Sequence, residues 1–274
     1  MFDLAALEAE LAGTIFAGKL HFSAVTDSTN TDAMAAARAG AAHGTVCFAD
    51  AQLAGRGRGG HAWLSVAGEG LYVSVVLRPT APSSRWPLLP FCAGLAAMEA
   101  IREAAGVVPD LRWPNDVLIS SPQKSNPLGS PIDAKKVCGI LVEAGTDVKA
   151  VGFAVAGIGI NVHQREFDGE LATPATSLDL EAGRRVSRQK LLVCLIKSLQ
   201  REAESLAEEA AAKRILARVG EASTWIRGRK VDVHGPQPCS GVTAGLDEHG
   251  FLKVETANGL VTVQTGGIRA AEMD

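Results

Sequence analysis

Residues 49–65 combine glycine and arginine in a pattern suited to binding an anion. Residues 55–65 read Gly-Arg-Gly-Arg-Gly-Gly-His-Ala-Trp-Leu-Ser, and the glycines allow the backbone to approach a ligand closely. The guanidinium groups of Arg56 and Arg58 can each bind two oxygens of a phosphate or carboxylate. Ordering such a loop costs conformational entropy, which an ionic ligand could offset. We therefore expect a loop that closes over its ligand, and the alternative is that both arginines are solvated loop charges.

A second group of polar residues lies beside apolar segments. Lys136 enters a run of otherwise apolar residues, where a charged amine is expensive to bury without an anionic partner. The neighbouring Lys135 is then expected to face solvent. Asn115 and Asp116 lie between two short apolar pieces, so we expect both beside the core and infer that they serve a function there.

A third group, Ser28, Thr29 and Asn30, directly precedes an alanine-rich segment. Hydroxyl and amide side chains of this kind cap helices, so a helix cap is the simpler interpretation. The same groups can instead face a pocket, and the two roles are compatible at Ser28.

The rest of the chain alternates between helical and strand patterns that could hold these residues in place. We predict helices over residues 3–12, 31–40, 88–105 and 187–220, and strands over residues 21–25, 45–49, 71–77, 135–144 and 150–162. The last two strands are largely apolar and are expected to form an antiparallel pair, and residues 111–119 give two short strands around a proline.

The sequence pattern changes near Trp225 from helical to strand-like. After this residue, short segments that favour β-strands are separated by glycine. We therefore predict an α+β fold in two domains. The first, residues 1–222, has a mixed β-sheet with flanking helices, and the second, residues 223–274, is a small β-barrel.

Composition narrows the class of protein further. The 274 residues are 47% hydrophobic and 21% charged, which is too apolar for a disordered chain. A net charge of -3 gives no overall attraction to DNA or to an anionic membrane, so neither is expected as a partner. The cysteines have no paired spacing suited to zinc or to a redox motif, and they are Cys47, Cys92, Cys138, Cys194 and Cys239.

Nothing in the sequence resembles a targeting or membrane segment. Residues 1–11 are acidic and amphipathic and lack the basic start and apolar centre of a signal peptide. The longest apolar run, residues 151–162, is interrupted by glycines and is too short to span a bilayer. We expect a cytoplasmic protein.

Five motifs follow one another along the chain and together suggest a family. They read Asp-Ser-Thr-Asn, then Gln52 with the glycine and arginine segment, then Arg-Trp-Pro-Asn-Asp, Lys-Val-Cys-Gly-Ile-Leu-Val-Glu and Gly-Ile-Gly-Ile-Asn-Val. With these motifs the sequence resembles the biotin protein ligases, from about residue 20 to its end. The C-terminal barrel is similar to the SH3-like domain of that family, which is a more generic likeness.

The resemblance implies a two-step reaction. Biotin and MgATP give biotinyl-5'-AMP and pyrophosphate, and a lysine of a biotin carboxyl carrier protein then attacks the adenylate. The charges agree with this chemistry, because positive groups are needed where a carboxylate approaches an α-phosphate and no protein nucleophile is required. Mg²⁺ is expected to be held through the ATP phosphates, with no metal ligand assigned to the protein.

The resemblance also implies roles for individual residues. Lys136, Arg58 and Asp116 are expected to be catalytic, with Arg58 retaining the adenylate and Asp116 acting as a base or an orienting group in lysine transfer. Contacts with biotin are expected from Ser28, Thr29, Asn30, Gln52, Gly55, Arg56, Trp63, Lys136, Gly139 and Gly159. Contacts with ATP or the adenylate are expected from Arg56, Arg58, His61, Asn115, Lys136 and Asn161.

Several of these assignments have simpler alternatives. Trp63 offers a flat apolar wall to a bicyclic ligand, although a single tryptophan often serves only as core. Gly139 and Gly159 are expected to leave the strand backbone bare for the ligand, and ordinary strand glycines are the alternative.

The chain also departs from the family pattern. Gly59 and His61 stand where the family's loop carries basic residues, so contacts with the triphosphate are expected to be weaker there. Arg112 replaces the more common lysine, and residues 120–134 form a longer loop than expected.

Three other functions remain possible from the sequence. A repressor is disfavoured because only about 20 residues precede the first predicted strand, too few for an N-terminal winged helix, so we expect a monofunctional enzyme. A lipoate ligase shares the fold and the activation chemistry, but the arginine loop favours biotin. A catalytically silent biotin-binding protein is disfavoured by the presence of Lys136, Arg58 and Asn115.

The oligomeric state is left open by the sequence, and a homodimer is possible.

Overall fold

The site rests on a seven-stranded mixed sheet whose strands have the order β1-β2-β3-β7-β6-β5-β4. The computed structural model describes residues 2–120, 134–167, 171 and 173–271. Strands β1 and β2 are parallel, and the other neighbours in this sheet are antiparallel. The strands are β1 Leu20–Thr26, β2 Val46–Gln52, β3 Gly70–Leu77, β4 Pro109–Arg112, β5 Asp116–Ser120, β6 Ala134–Thr146 and β7 Gly152–Asn161.

Helices cover both faces of this sheet. They are α1 Leu4–Glu10, α2 Thr29–Arg38, α3 Leu89–Ala105, α4 Leu178–Ala182, α5 Arg188–Glu204 and α6 Ala211–Ala222. All eight residues of β3 are buried because alternate side chains reach two cores. Val75 and Leu77 pack into the larger core with α3 and α5, whereas Val76 packs into a smaller core with α2.

A five-stranded antiparallel sheet follows, with the order β11-β10-β9-β8-β12. Its strands are β8 Arg227–His234, β9 Cys239–Leu246, β10 Leu252–Thr256, β11 Gly259–Val263 and β12 Gly267–Ala270. The sheet is compatible with the predicted SH3-like barrel. We propose that the domain boundary lies after α6, between Ala222 and Ser223.

The C-terminal sheet is held against the larger sheet by hydrogen bonds to β4 and to the residue after it. The indole Nε1 of Trp113 donates to the carbonyl oxygen of Gly250 at 3.1 Å. The hydroxyl of Thr224 donates to the Asp110 carboxylate at 2.6 Å. Trp113 of the Arg-Trp-Pro-Asn-Asp motif and Asp110 of β4 therefore join the two parts of the chain.

Most predicted elements are confirmed, including the antiparallel pair β6 and β7 and the two short strands around Pro114. The single helix predicted over residues 187–220 is wrong. It is divided into α5 and α6 by a 3-10 turn at Ser205–Ala207 and by Ala210, whose φ is 58°. No glycine or proline marks this break.

Three further findings concern the rest of the chain. Of the predicted loop over residues 120–134, residues 121–133 lie outside the described part. All five cysteines are free. Within the described residues, no helix combines the length and hydropathy needed to cross a membrane.

Candidate active site

One cavity of about 900 Å³ lies where the arginine loop, the N-terminus of α2, strands β5, β6 and β7 and the C-terminal sheet meet. Every residue predicted to act in the site lines this cavity, and they come from all five motifs. The sheet register explains part of this convergence, because Gly139 pairs with both Asp116 and Gly159.

One part of the cavity lining is a network of neutral polar groups centred on Gln52. The Gln52 side-chain oxygen accepts hydrogen bonds from the Thr29 backbone N–H at 2.9 Å and from its hydroxyl at 3.1 Å. The Gln52 amide nitrogen donates to the Ser65 hydroxyl at 2.6 Å, and Thr29 and Ser74 share a hydrogen bond of 2.9 Å. These groups hydrogen-bond one another, and they suit a ligand with uncharged donors and acceptors.

Ser28 occupies the N-cap position of α2, but its side chain makes no capping hydrogen bond. The predicted capping role of its hydroxyl is therefore wrong. The residue is buried and lines the cavity, so its hydroxyl is left for other contacts.

The indole of Trp63 covers the bare backbone of β6 and β7. A Cβ atom at Gly139 would lie 2.7 Å from the indole ring, and one at Gly159 would lie 2.6 Å from it. Both glycines thus allow the indole to lie on the sheet, a contact that the sequence did not predict. Whether a ligand also lies against these strands stays a prediction.

A separate part of the cavity lining is a cluster of charges around Asp116. The Lys136 ammonium lies 2.6 Å from one Asp116 carboxylate oxygen and 5.3 Å from the centre of the Trp63 ring. The Arg112 guanidinium lies 2.6 Å from the other carboxylate oxygen. Burial acts to raise the pKa of the Asp116 carboxyl, but Lys136 and Arg112 outweigh burial and hold this pKa below its usual value. Asp116 is therefore a charged carboxylate held between two cations, and its role in the reaction stays a prediction.

Both arginines of the loop are tied to other parts of the chain. The Arg56 guanidinium is hydrogen-bonded to the Glu143 carboxylate of β6, which also accepts from the Asn30 side-chain amide. The Arg58 guanidinium donates to the Gly266 carbonyl oxygen and, at 3.0 Å, to the Thr265 hydroxyl. The loop is thus held between β6 and the C-terminal sheet.

Two predicted adenylate contacts, Asn115 and Asn161, use their side-chain amides to hold the backbone. Asn115 donates to the Ile140 carbonyl oxygen at 2.9 Å, and Asn161 donates to the Thr176 carbonyl oxygen at 3.1 Å. Both residues line the cavity, and the Asn161 side-chain oxygen accepts a hydrogen bond from Gln164 at 3.4 Å. A contact with the ligand stays a prediction for both residues.

Sequence reasoning missed several residues of the site. Glu143 ends the Lys-Val-Cys-Gly-Ile-Leu-Val-Glu motif, which was a usable signal, whereas the contributions of the C-terminal sheet depend on tertiary packing. Burial and the charge of Arg269 lower the pKa of His234, which lines the cavity close to His61. The missed residues are Ser65, Ser74, Glu143, Thr173, His234, Thr265, Gly266 and Arg269.

The charge of the cavity wall favours an anionic ligand. Among the described residues that line it, Asp116 is the one acid, and the cations are Arg56, Arg58, Arg112, Lys136 and Arg269. No group of three or more histidine, cysteine or acidic side chains that could hold a metal ion occurs in the described part of the chain.

Comparison with known proteins agrees with this geometry. The sequence matches the biotin/lipoate A/B protein ligase family over residues 22–161, just over half of the chain. It is 33% identical over 250 residues to the bifunctional ligase/repressor BirA of Bacillus subtilis, covering 89% of this chain and 71% of that protein. It is 32% identical over 257 residues to the biotin--[acetyl-CoA-carboxylase] ligase of Mycobacterium tuberculosis, covering 91% of this chain and 88% of that protein.

The fold is similar to a solved structure of the biotin protein ligase from Aquifex aeolicus in complex with biotin and ATP. The two share a TM-score of 0.76 and 29% identity, over 93% of this chain and 100% of the other. The chain therefore belongs to the biotin/lipoate A/B protein ligase family and, within it, to the biotin protein ligases.

Proposed function

We propose that this chain activates biotin with ATP as biotinyl-5'-AMP, releases pyrophosphate, and transfers the biotinyl group to a lysine of a biotin carboxyl carrier protein. The observation that carries the proposal is that one cavity joins the neutral network around Gln52 to the cationic cluster around Lys136. Biotin has an uncharged ureido ring at one end and a carboxylate at the other, which fits this division.

In the first step, a carboxylate oxygen of biotin forms a bond to the α-phosphorus of ATP. The bond from that phosphorus to the oxygen bridging to the β-phosphate breaks, and pyrophosphate leaves with the electron pair. Two anions must approach each other, so a fixed positive charge lowers the barrier. Lys136 supplies this charge, and Arg56 and Arg58 of the loop add to it.

In the second step, the acceptor amine attacks the acyl carbon of the adenylate. A carbon–nitrogen bond forms, the bond from the acyl carbon to the phosphate oxygen breaks, and AMP leaves with that electron pair. Asp116 orients the amine as a charged partner, and the amine's proton passes to solvent. The low pKa of Asp116 supports orientation rather than proton abstraction.

Mg²⁺ is proposed to reach the site bound to the triphosphate. Asp116 is already paired with Lys136 and Arg112, and the described residues contain no cluster of acids around it. Mg²⁺ is commonly held by one or two carboxylates together with substrate phosphates and water, which this site allows. When bound, the ion would neutralise charge on the triphosphate.

The protein that accepts biotin and the cellular compartment of the reaction are also proposals. The relative from Mycobacterium tuberculosis is named as an acetyl-CoA-carboxylase ligase, and this supports a carboxylase carrier domain as the acceptor. We propose that the reaction takes place in the cytoplasm.

The choice of biotin over lipoate is tested by supplying each acid separately. ATP–pyrophosphate exchange should occur with biotin and be at least about a hundredfold slower with lipoate or octanoate. Neither of those acids offers polar groups to the network formed by Thr29, Gln52 and Ser65. Exchange that is faster with lipoate would make the chain a lipoate ligase, and exchange with none of the acids would favour a silent binding protein.

The wall formed by Trp63 can be tested with Gly159→Ala. The added Cβ would lie 2.6 Å from the indole, so the indole must move, and overpacking of this kind costs about 1–3 kcal/mol. We expect the KM for biotin to rise about tenfold with a smaller change in kcat. Gly220→Ala in α6 is the control, because its added Cβ would have no atom within 4 Å other than its chain neighbours and the backbone of its own helix. An unchanged KM in Gly159→Ala would remove Trp63 from the biotin site.

A further inference from the structure

We propose that Arg112 is a positioning residue that keeps the Asp116 carboxylate charged and in place while Lys136 leaves it to bind the ligand. The inference rests on the proposed function, because an anionic ligand is needed to draw Lys136 away from Asp116. It concerns a position at which this chain carries arginine instead of the lysine expected from the family resemblance.

The Arg112 side chain is fixed on three sides. The same guanidinium nitrogen, Nη2, donates to Asp116 at 2.6 Å and to the Thr173 hydroxyl at 2.9 Å. The guanidinium carbon lies 5.5 Å from the centre of the Trp225 ring, and 8% of the side chain is exposed. Arg112 could leave Asp116 only by giving up all of these contacts at once.

Lys136 is held less firmly. Its side chain is 27% exposed, and within the described part of the chain its ammonium has one ion pair, with Asp116, besides its position over the Trp63 ring. A lysine ammonium is a point charge on a flexible stem, so rotation of the stem can carry it to a nearby anion. Lys136 is therefore the partner of Asp116 that can move.

Movement of Lys136 would be costly if Asp116 were then left alone. Only 14% of the Asp116 side chain is exposed, and an unpaired carboxylate at such a site loses solvation that nothing replaces. With Arg112 still in contact, the carboxylate keeps one cation when Lys136 departs. Asp116 then stays ionised and free to hold the acceptor amine.

The other titratable groups near Asp116 do not replace Arg112. Arg58 of the arginine loop and His234 of β8 interact with Asp116 electrostatically, and Arg58 itself is hydrogen-bonded to Gly266. On β6, burial raises the pKa of the Cys138 thiol, which therefore stays neutral. Arg112 is the cation that remains in contact once Lys136 has moved.

The test measures transfer of the biotinyl group from preformed biotinyl-AMP to a carrier domain between pH 5.5 and about pH 9. For each variant, the rate is divided by the wild-type rate at the same pH, which cancels titration of the acceptor lysine. For Arg112→Met, we expect this ratio to be about tenfold lower at pH 6 than at pH 8, because Asp116 becomes protonated when its remaining cation is absent. For Arg112→Lys, we expect a lower ratio that does not change with pH, because the charge is restored.

Arg188→Met is the matched control. Arg188 is also 8% exposed, lies 2.8 Å from the Asp50 carboxylate and stacks on Phe2 at 4.7 Å, but it lies outside the cavity lining. The transfer rate of Arg188→Met, divided by the wild-type rate at the same pH, should be independent of pH. If Arg112→Met does not fold, Arg112→Gln makes the same comparison.

Two results would overturn the inference. One is a pH-independent ratio in the neutral Arg112 variants. The other is failure of both neutral variants to fold while Arg188→Met folds, which would make Arg112 a stabilising residue. Absence of transfer by the wild type would overturn the proposed function as well, so the two failures are distinguishable.

Discussion

Lys136→Ala should slow formation of biotinyl-AMP by about 10²–10³ while leaving the fold intact. The ammonium is the mobile cation of the charge cluster, and loss of one preorganised group that stabilises developing charge typically slows a reaction by about 10²–10³. The fold should persist because Asp116 keeps its contact with Arg112. ATP–pyrophosphate exchange measures the loss, and far-UV circular dichroism checks the fold.

Lys135→Ala is the matched control for this experiment. Lys135 precedes Lys136 on β6 and is exposed, so its removal changes the net charge equally without touching the cavity lining. Its exchange rate should stay within about twofold of the wild type. Exchange that is equally slow in both variants would show that Lys136 acts only through the overall charge.

Arg58→Gly should form the adenylate and then lose it. Charge-assisted hydrogen bonds contribute about 1.5–3 kcal/mol each, so the dissociation rate of biotinyl-AMP should rise about tenfold to a hundredfold. The substitution also releases the loop from Thr265 and Gly266 of the C-terminal sheet. Released adenylate should then label lysines on unrelated proteins.

Trapping of free biotinyl-AMP with a bystander protein such as albumin measures this loss. Thr265→Val separates the two effects, because it removes one loop contact and leaves the guanidinium in place; we expect a severalfold faster dissociation at most. If labelling by Arg58→Gly remains confined to the carrier lysine, Arg58 does not retain the adenylate.

Local sequence patterns were sufficient to predict most of the fold. Strand β3 is a run of β-branched and apolar residues, and its burial on both faces follows from that composition. The break between α5 and α6 was missed because alanine, glutamate and lysine continue the helical pattern through it. At the break, Ala210 adopts a positive φ, which cannot be predicted from an alanine because alanine is a strong helix former.

The site could be predicted as a set of residues but not as a set of contacts. The motifs identified Arg56, Arg58 and Trp63, since their types and spacing are distinctive. Their partners come from distant parts of the chain, as with Arg56 and Glu143 on β6 or Arg58 and the turn at Thr265. Such pairs depend on strand register and on how the C-terminal sheet docks, which a single sequence does not encode locally.

The ion pairs of Asp116 with Lys136 and Arg112 change the role that we expect for its carboxylate. From the sequence, Asp116 was equally suited to be a base or an orienting group. The contacts of Lys136 and Arg112 at 2.6 Å lower its pKa and favour orientation. A role in the second step therefore depends on its charge and not on its basicity.

The central claim is that this chain joins biotin to a carrier lysine through an adenylate. Intact-protein mass spectrometry tests it directly, with the purified chain, MgATP, biotin and the biotin-accepting domain of an acetyl-CoA carboxylase. We predict that the carrier gains one biotinyl group, that pyrophosphate and AMP appear in equal amounts with it, and that a carrier whose acceptor lysine is replaced by arginine gains none. An unmodified carrier, together with no pyrophosphate release from biotin and ATP, would contradict the account.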